Sequence, residues 1–239
     1  MERRPRTAPQ LSLLLGGGSW ILTLLYFIGQ AVAQAAWTTP YSLIDNRVSD
    51  LGNTACGRTL ANTYICSPLH AVMNTTFVLT GVLILVGLFL TRSIWPQRRL
   101  TTWALILLGV AGLGTILVGL SPENVNVLFH LIGALNIPAG NAAMILLGLA
   151  IWRERIKLAW FSVLSGGIGL LGLLVGPVLV ILTGHGGGLA ERIALYPLII
   201  WLIVFGFAIL KKVRTRDNPG STRSGETAAQ EFELAAKPR

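Results

Sequence analysis

Histidines and carboxylates are the residues of this sequence whose side chains best suit chemistry. The three histidines are His70, His130 and His185. Imidazole nitrogens and carboxylates bind catalytic zinc ions, which activate a bound water. A site of this kind would use Asp50 or Glu191 beside the histidines, with Ser49 or the metal-bound water serving the chemistry. Zinc is therefore one cofactor that these residues allow, and a metal-dependent lipid hydrolase is one function.

The same region also suits binding without catalysis and without a cofactor. Arg47 and Arg192 would face an anionic group, while His130 with Asp50 would recognise hydroxyls or protons. This interpretation predicts a protein that binds or transports a lipid headgroup or a small polar molecule. A third interpretation is a structural or accessory membrane subunit, in which the polar residues only hold helices together. The sequence has no P-loop, G-x-S-x-G or HExxH motif to favour a soluble enzyme class.

Composition decides the environment of these residues. Hydrophobic residues make up 53% of the chain and charged residues only 12%, and the mean hydropathy is +0.66. Soluble domains contain roughly a quarter charged residues. The composition therefore indicates an integral membrane protein surrounded by lipids.

Continuous apolar runs predict the fold class. A helix needs about 20 such residues to cross the hydrocarbon core, whereas barrel strands alternate in short segments. We therefore predict an all-α bundle of six transmembrane helices. The predicted spans are 11–36, 70–91, 102–120, 129–152, 159–183 and 193–210.

The distribution of cations predicts the orientation of the bundle. Lys and Arg near the ends of spans are retained in the cytoplasm. The clusters that should share that side are Arg3, Arg4, Arg6, Arg92, Arg98, Arg99, Arg153, Arg155, Lys157, Lys211, Lys212, Arg214 and Arg216. We expect both termini to be cytoplasmic in a multi-pass protein of the plasma membrane. The net charge of +9 is then mainly a topology signal, and no nucleic-acid partner is expected.

The ends of the chain differ from its apolar middle. Residues 1–10 form a basic cytoplasmic N-terminus, residues 11–210 the transmembrane domain, and residues 211–239 a polar cytoplasmic tail predicted to be disordered. The small residues at 31–35 resemble a signal-peptide cleavage site. However, the first apolar run is longer than a signal sequence usually has, which favours a retained first helix.

The longest predicted connection is an outer loop over residues 37–69 that contains both cysteines. Cys56 and Cys66 would lie on the oxidising side of the membrane, which favours a disulfide. The alternative is a reduced pair of metal ligands, although the spacing does not match a CxxC zinc site.

Helical spacing brings the remaining polar residues toward this outer side. His130 and Asn141 should project from nearly the same face of the fourth span. Because polar groups facing lipid are costly, they should turn inward and form an outward-facing pocket. The predicted pocket residues are Ser49, Asp50, Asn74, Glu123, His130, Asn141, Glu191 and Arg192.

Each pocket residue also has a structural interpretation. Asn74 and Asn141 would serve as hydrogen bonds between helices. Arg192 would be an ordinary residue at a helix end, held by Asp50 or Glu123.

Prolines and glycines add detail to the predicted helices. Pro138, Pro177 and Pro197 should kink the last three spans. The glycines of the fifth span should permit close helix contact; they are Gly166, Gly167, Gly169, Gly172 and Gly176.

Four short motifs together resemble a known family. The motifs are Ser49-Asp50-Leu51-Gly52, Asn74, Ser121-Pro122-Glu123 with His130, and Glu191-Arg192. In order and placement they resemble a bacterial multi-pass membrane family known as domain of unknown function 998, over residues 37–210. The resemblance implies six membrane helices with an outer constellation of acidic residues, His and Glu-Arg, and it carries no established activity. A departure from the family pattern is that Glu123 stands where an aspartate is usual.

Overall fold

The computed structural model of this protein describes residues 7–58 and 63–217 and is almost entirely helical. Its helices are α1 (Ala8–Leu22), α2 (Leu25–Ala35), α3 (His70–Thr91), α4 (Arg99–Leu120), α5 (Val127–Gly133), α6 (Asn136–Ala150), α7 (Ile156–Thr183) and α8 (Gly187–Asp217). Short 3-10 turns occur at Ser49–Gly52 and Arg92–Ile94. A small antiparallel pair, β1 (Gly57–Arg58) and β2 (Tyr64–Ile65), lies in the long loop.

Within the described residues, six helical segments are long and apolar enough to cross a membrane, which confirms the predicted fold class. They are Ala8–Ala35, His70–Ile94, Arg99–Leu120, Val127–Ala150, Ile156–Thr183 and Gly187–Thr215. The first consists of α1 and α2, and the fourth of α5 and α6. Consecutive spans pack side by side around the bundle, and α1 packs on α8 to close the ring.

The fourth span is interrupted, as its proline predicted. α5 ends at Gly133, and α6 begins at Asn136. Pro138 has no N–H for the carbonyl of Ala134, and its ring crowds that carbonyl, which favours a break in the helix here. By contrast, α7 and α8 each continue as one helix through Pro177 and Pro197.

The last helix is longer than its predicted span at both ends. α8 begins directly after a tight turn, in which Gly184 and Gly186 adopt left-handed φ angles of 72° and 91°. It then continues to Asp217, so residues 211–217 of the predicted disordered tail are helical. Cations such as Lys211 suit the negative end of a helix dipole, which explains the extension. The rest of the tail, from residue 218 onward, lies outside the described residues.

The core is divided into two clusters along the membrane normal. One is rich in aromatic rings, with Trp201 packed 4.1 Å from Phe205 and 5.7 Å from Trp20 between ring centroids. The other includes Tyr26 and Phe77 together with Val48 and Leu51 of the long loop. Since Val48 and Leu51 are fully buried, part of this loop belongs to the core.

The first span is an integral part of both clusters, through Trp20 and Tyr26. This packing fits a retained helix. Its first turn begins at Ala8, where the side chain of Gln10 accepts the backbone N–H of Thr7. Residues 8–10 of the predicted N-terminal segment are therefore helical.

We predict that two neighbouring glycines of α7 respond differently to alanine. A Cβ on Gly166 would lie 2.5 Å from the carbonyl oxygen of Asn141, whereas one on Gly167 would have no atom within 4 Å. Gly166→Ala should destabilise the bundle by about 1–3 kcal/mol, since a backbone must move. Gly167→Ala should be neutral or stabilise by up to about 1 kcal/mol. Thermal unfolding in detergent checks this, and equal effects would refute the close packing of α7 on α6.

Candidate functional site

The long loop is docked on the N-terminal end of α8. We call its segment 41–53 the docked loop. Backbone and side-chain hydrogen bonds hold this segment against α8. The backbone N–H of Leu189 donates to the carbonyl of Ile44 over 2.8 Å, and Gly186 donates to the carboxylate of Asp45 over 3.0 Å. The bundle therefore has a loop end, which carries the docked loop, and an opposite basic end, which carries Arg98, Arg155 and Lys212.

Arg192 is the main anchor of the docked loop. Its Nη1 donates to the carbonyls of Leu43, Asn46 and Gly188 over 2.7–3.1 Å. Its Nη2 donates to the hydroxyl of Tyr41 over 2.6 Å, and the residue is only 5% exposed. A guanidinium suits this task because its donors form a rigid fork. Burial raises the pKa of Tyr41 to about 12 in spite of the nearby guanidinium, so Tyr41 remains a neutral phenol.

Glu191 holds the same loop by the opposite charge. Its carboxylate accepts the backbone N–H groups of Val48 and Ser49, at the start of the 3-10 turn. Two adjacent residues of α8 thus bind the loop backbone. Glu191 accepts its N–H groups, and Arg192 donates to its carbonyl groups. Hydrogen bonds to charged groups are stronger than neutral ones, so the loop is firmly seated.

Arg47 organises the remaining carboxylates of the loop end. Its Nη2 lies 2.9 Å from Glu123 and 3.4 Å from Asp50, and its backbone N–H donates to Asp50 over 2.8 Å. Burial disfavours the charged guanidinium, but the carboxylates around it outweigh that effect and raise the pKa of Arg47. Burial raises the pKa of Asp50, although Arg47 acts to lower it.

Asp45 lies at the solvent edge of the docked loop. It accepts hydrogen bonds from the N–H of Gly186 and the hydroxyl of Ser42, which lower its pKa. The ring of His185 is 3.3 Å away from the same carboxylate.

The structure brings together five of the eight predicted pocket residues. They are Ser49, Asp50, Glu123, Glu191 and Arg192. The predicted partners of Arg192 were wrong, because Asp50 and Glu123 bind Arg47 while Arg192 binds backbone carbonyls. Arg47 and Tyr41 are therefore central residues that the predicted pocket omitted, and the position of Arg47 three residues before Asp50 was a signal for the first of them.

The other three pocket residues lie apart from this cluster. Asn74 donates to the carbonyl of Gly52 over 2.9 Å, beneath the docked loop. His130 contacts the carbonyl of Ser121 through Nδ1 over 2.9 Å. Asn141 lies deeper and donates to Ile137 and to Ala194 of α8 over 2.8 Å. His130 and Asn141, which were predicted to share a face, contact different elements, His130 the end of α4 and Asn141 the helix α8.

The histidines do not converge either. His70 contacts the carbonyl of Ser67, whereas His130 and His185 contact Ser121 and Asp45. Within residues 7–58 and 63–217, no group of three or more His, Cys, Asp or Glu side chains could hold a metal ion. This geometry does not favour the predicted zinc site. Cys56 and Cys66 form the predicted disulfide, which ties the ends of the small β-hairpin together.

A small cavity lies inside the bundle, below the docked loop. It is lined by Tyr26, Phe77, Thr115, Asn136, Ile137, Asn141, Ala194, Leu195, Leu198 and Ile199. It offers about 10 Å³ to the centre of a water-sized sphere, which is about the room of one water molecule. The polar side chains around it come from α2, α4 and α6.

Three polar atoms of these cavity residues are buried without a hydrogen-bond partner in the described part of the chain. They are Tyr26 Oη, Asn136 Oδ1 and Asn141 Oδ1. The amide groups of the same asparagines are satisfied, since Asn136 Nδ2 donates to Thr115 over 2.9 Å. Tyr26 and Asn136 were not predicted as site residues, and only the rarity of polar groups inside apolar runs could have pointed to them.

The architecture and the polar loop end define the class of this molecule, a multi-pass α-helical membrane protein with a structured loop at one end. The family described as Protein of unknown function (DUF998) matches residues 21–208, and the chain belongs to this family. The match includes the whole docked loop and all three asparagines discussed above, and it confirms the resemblance found in the sequence. No curated protein and no solved structure matches the chain.

We predict that Arg192 is far more sensitive to substitution than an exposed arginine. Arg192→Lys would leave several buried carbonyls without donors, at about 1–3 kcal/mol for each unsatisfied group. Arg98→Lys is the matched control, since the pair between Arg98 and Glu154 is about half exposed and exposed pairs contribute about 0–1 kcal/mol. Thermal unfolding in detergent should show a large loss only for Arg192→Lys. Similar losses would mean that Arg192 does not anchor the loop.

We also predict opposite pH responses for Asp45 and Asp50. The fold lowers the pKa of Asp45, so its contribution to stability exists above the ordinary value of 3.8 and is lost as the pH falls. The fold raises the pKa of Asp50, so its contribution is greatest below 3.8 and is lost as the pH rises through the raised pKa.

Unfolding midpoints of the wild type, Asp45→Asn and Asp50→Asn from about pH 3 to pH 6 check these signs. The stability of the wild type relative to Asp45→Asn should increase with pH. Relative to Asp50→Asn it should decrease. Slopes of the same sign would contradict the arrangement of carboxylates at the loop end.

Proposed function

We propose that the protein binds a small polar molecule inside the membrane, with the docked loop as a closed lid over its entrance. The observation that supports this function is the polar cavity between α2, α4, α6 and α8, whose residues Tyr26, Asn136 and Asn141 each have an unpartnered polar atom. Following the cation distribution, we place the basic end in the cytoplasm and the loop end outside the plasma membrane.

The unpartnered atoms define the chemistry of the bound molecule. An unsatisfied buried polar group costs about 1–3 kcal/mol, which a bound molecule that completes the hydrogen bond would recover. Two of the three atoms are amide oxygens, which only accept, and the third belongs to a phenol, which donates and accepts. The molecule should therefore present hydrogen-bond donors, as water, an ammonium group or an alcohol does.

Polar residues connect the cavity to the lid. Gln30 of α2 and Tyr196 of α8 exchange hydrogen bonds of 2.7 and 2.9 Å. The ring of Tyr196 contacts that of Tyr26, with centroids 6.3 Å apart. Because Tyr196 lies on α8 just below Arg192, release of the docked loop would expose this polar route from the loop end.

The size of the cavity limits which molecule it can contain while the docked loop covers it. With room for about one water, it cannot contain a lipid headgroup. The cations of the loop end are also occupied, by backbone carbonyls at Arg192 and by carboxylates at Arg47. We therefore favour a small donor molecule over an anionic headgroup at this site.

X-ray radiolytic labelling of the protein in detergent tests this proposal, since hydroxyl radicals form where ordered water is present. Tyr26 and Trp20 are almost equally buried, at 1% and 0% exposure, but only Tyr26 lines the cavity. We expect Tyr26 to be oxidised well above Trp20. Asn136→Leu removes a polar group from the cavity and should lower the labelling of Tyr26. Glu191→Gln weakens the hydrogen bonds that hold the docked loop on α8 and should raise it.

A second candidate is a purely structural role, favoured by the way Glu191 and Arg192 bind backbone rather than a free site. In that case Tyr26 would be labelled no more than Trp20, and neither variant would alter it. Circular dichroism of each variant provides the control for folding. The same measurement therefore separates the two functions.

A further inference from the structure

A larger cavity lies at the basic end, outside the proposed binding site. Its walls include Trp95, Arg155, Leu158, Phe205, Ile209 and Lys212, and it offers about 80 Å³ to the centre of a water-sized sphere. These residues come from the turn before α4, the start of α7 and the last turns of α8. The cavity therefore opens where the helices emerge from the apolar core.

Trp95 is the residue of this cavity that lacks a partner. It is 3% exposed, and its indole N–H is buried with no acceptor within the residues that the structure describes. The ring has little freedom to find one, because it stacks on Trp201 and on Phe205 with centroids 6.3 and 5.7 Å apart. An acceptor from a bound molecule would satisfy this buried donor.

The charges around the cavity indicate an anion. Arg155 and Lys212 line it from two helices. Glu154 also lines it, but its carboxylate pairs with Arg98 over 3.4 Å, which offsets its charge. A donor and two cations beside a cavity suit phosphate oxygens, which accept several hydrogen bonds.

The apolar walls indicate that the phosphate belongs to a lipid. Ile94, Leu158 and Ala208 are partly exposed apolar residues of the cavity, and each lies in a membrane-spanning segment. A free phosphate would gain nothing from this surface, whereas an acyl chain would bury apolar area against it. Basic pockets between membrane helices are typical sites for anionic headgroups.

We propose that this cavity binds the phosphodiester of an anionic phospholipid, with Arg155 and Lys212 facing the phosphate and the indole N–H of Trp95 donating to one of its oxygens. The site is separate from the cavity around Asn136, so it does not depend on the function proposed above. Its role is to fix the position of α7 and α8 relative to the leaflet on the basic side.

Native mass spectrometry of the full-length protein with phosphatidylglycerol tests the proposal. Trp95→Phe keeps the aromatic stacking and removes only the N–H, so binding should weaken about three- to tenfold. Arg155→Gln combined with Lys212→Gln should weaken it about thirtyfold, at the usual contribution of cations near anionic lipid. Phosphatidylcholine, which has no net charge, should bind more weakly to the wild type and respond little to the double change.

Matched variants control for general effects of losing an indole or a charge. Trp160→Phe and Arg153→Gln alter the same region of the chain but do not line the cavity, and both should bind like the wild type. Unfolding midpoints in detergent show whether each variant is folded. Equal affinity of the wild type, Trp95→Phe and the double variant would overturn the site.

Excess inorganic phosphate distinguishes the two sources of the anion. We expect it to leave phosphatidylglycerol binding unchanged, because the acyl chains contribute to affinity. If inorganic phosphate displaces the lipid from the wild type but not from the double variant, the cavity is a site for free phosphate, and the lipid assignment is wrong.

Discussion

The loop end depends on the hydrogen bonds that Glu191 and Arg192 form with the backbone of the docked loop. A loop buried against a helix bundle must find partners for its N–H and carbonyl groups, since water does not reach them there. Glu191 accepts two N–H groups of the docked loop, and Arg192 donates to two of its carbonyls, those of Leu43 and Asn46. Both residues lie on α8, the helix that closes the ring of spans against α1. Seating of the loop is thereby coupled to the closure of the bundle.

The parts of this structure that could be predicted from sequence are those set by local composition. Six apolar runs were sufficient to place the helices, and the oxidising side of the membrane was sufficient to pair Cys56 with Cys66. The interruption before Pro138 agrees with the loss of an N–H in its turn, but the same loss at Pro177 and Pro197 leaves α7 and α8 continuous, so proline alone does not determine where a span breaks. The partners of Arg192 could not be predicted, since Asp50 and a backbone carbonyl are equally good acceptors until the path of the loop is known.

The interior site shows a different limit of sequence reasoning. His130 and Asn141 were expected on one face of the fourth span, and they contact different elements, with His130 bonded to Ser121 and Asn141 to α8. The break between α5 and α6 places Asn136 at the start of α6, beside Thr115 of α4. Tyr26 gave no signal, because a tyrosine in an apolar run is ordinary. A polar cavity depends on which residues meet across helices, and spacing along one helix does not determine that.

The way in which polar groups are bonded bears on where ligands bind. At the loop end, most guanidinium and carboxylate atoms bond one another or the docked loop, so a ligand there would have to displace strong internal bonds, although Asn74 Oδ1, Glu123 Oε2 and Arg192 Nε are unpaired in the described chain. The cavity around Asn136 and the cavity beside Trp95 also have unpaired buried atoms, and they lie next to open space. A ligand gains most where it replaces no existing bond. In the functions that we propose, the charged residues at the loop end hold the lid, and Tyr26, Asn136 and Trp95 contact the bound molecules.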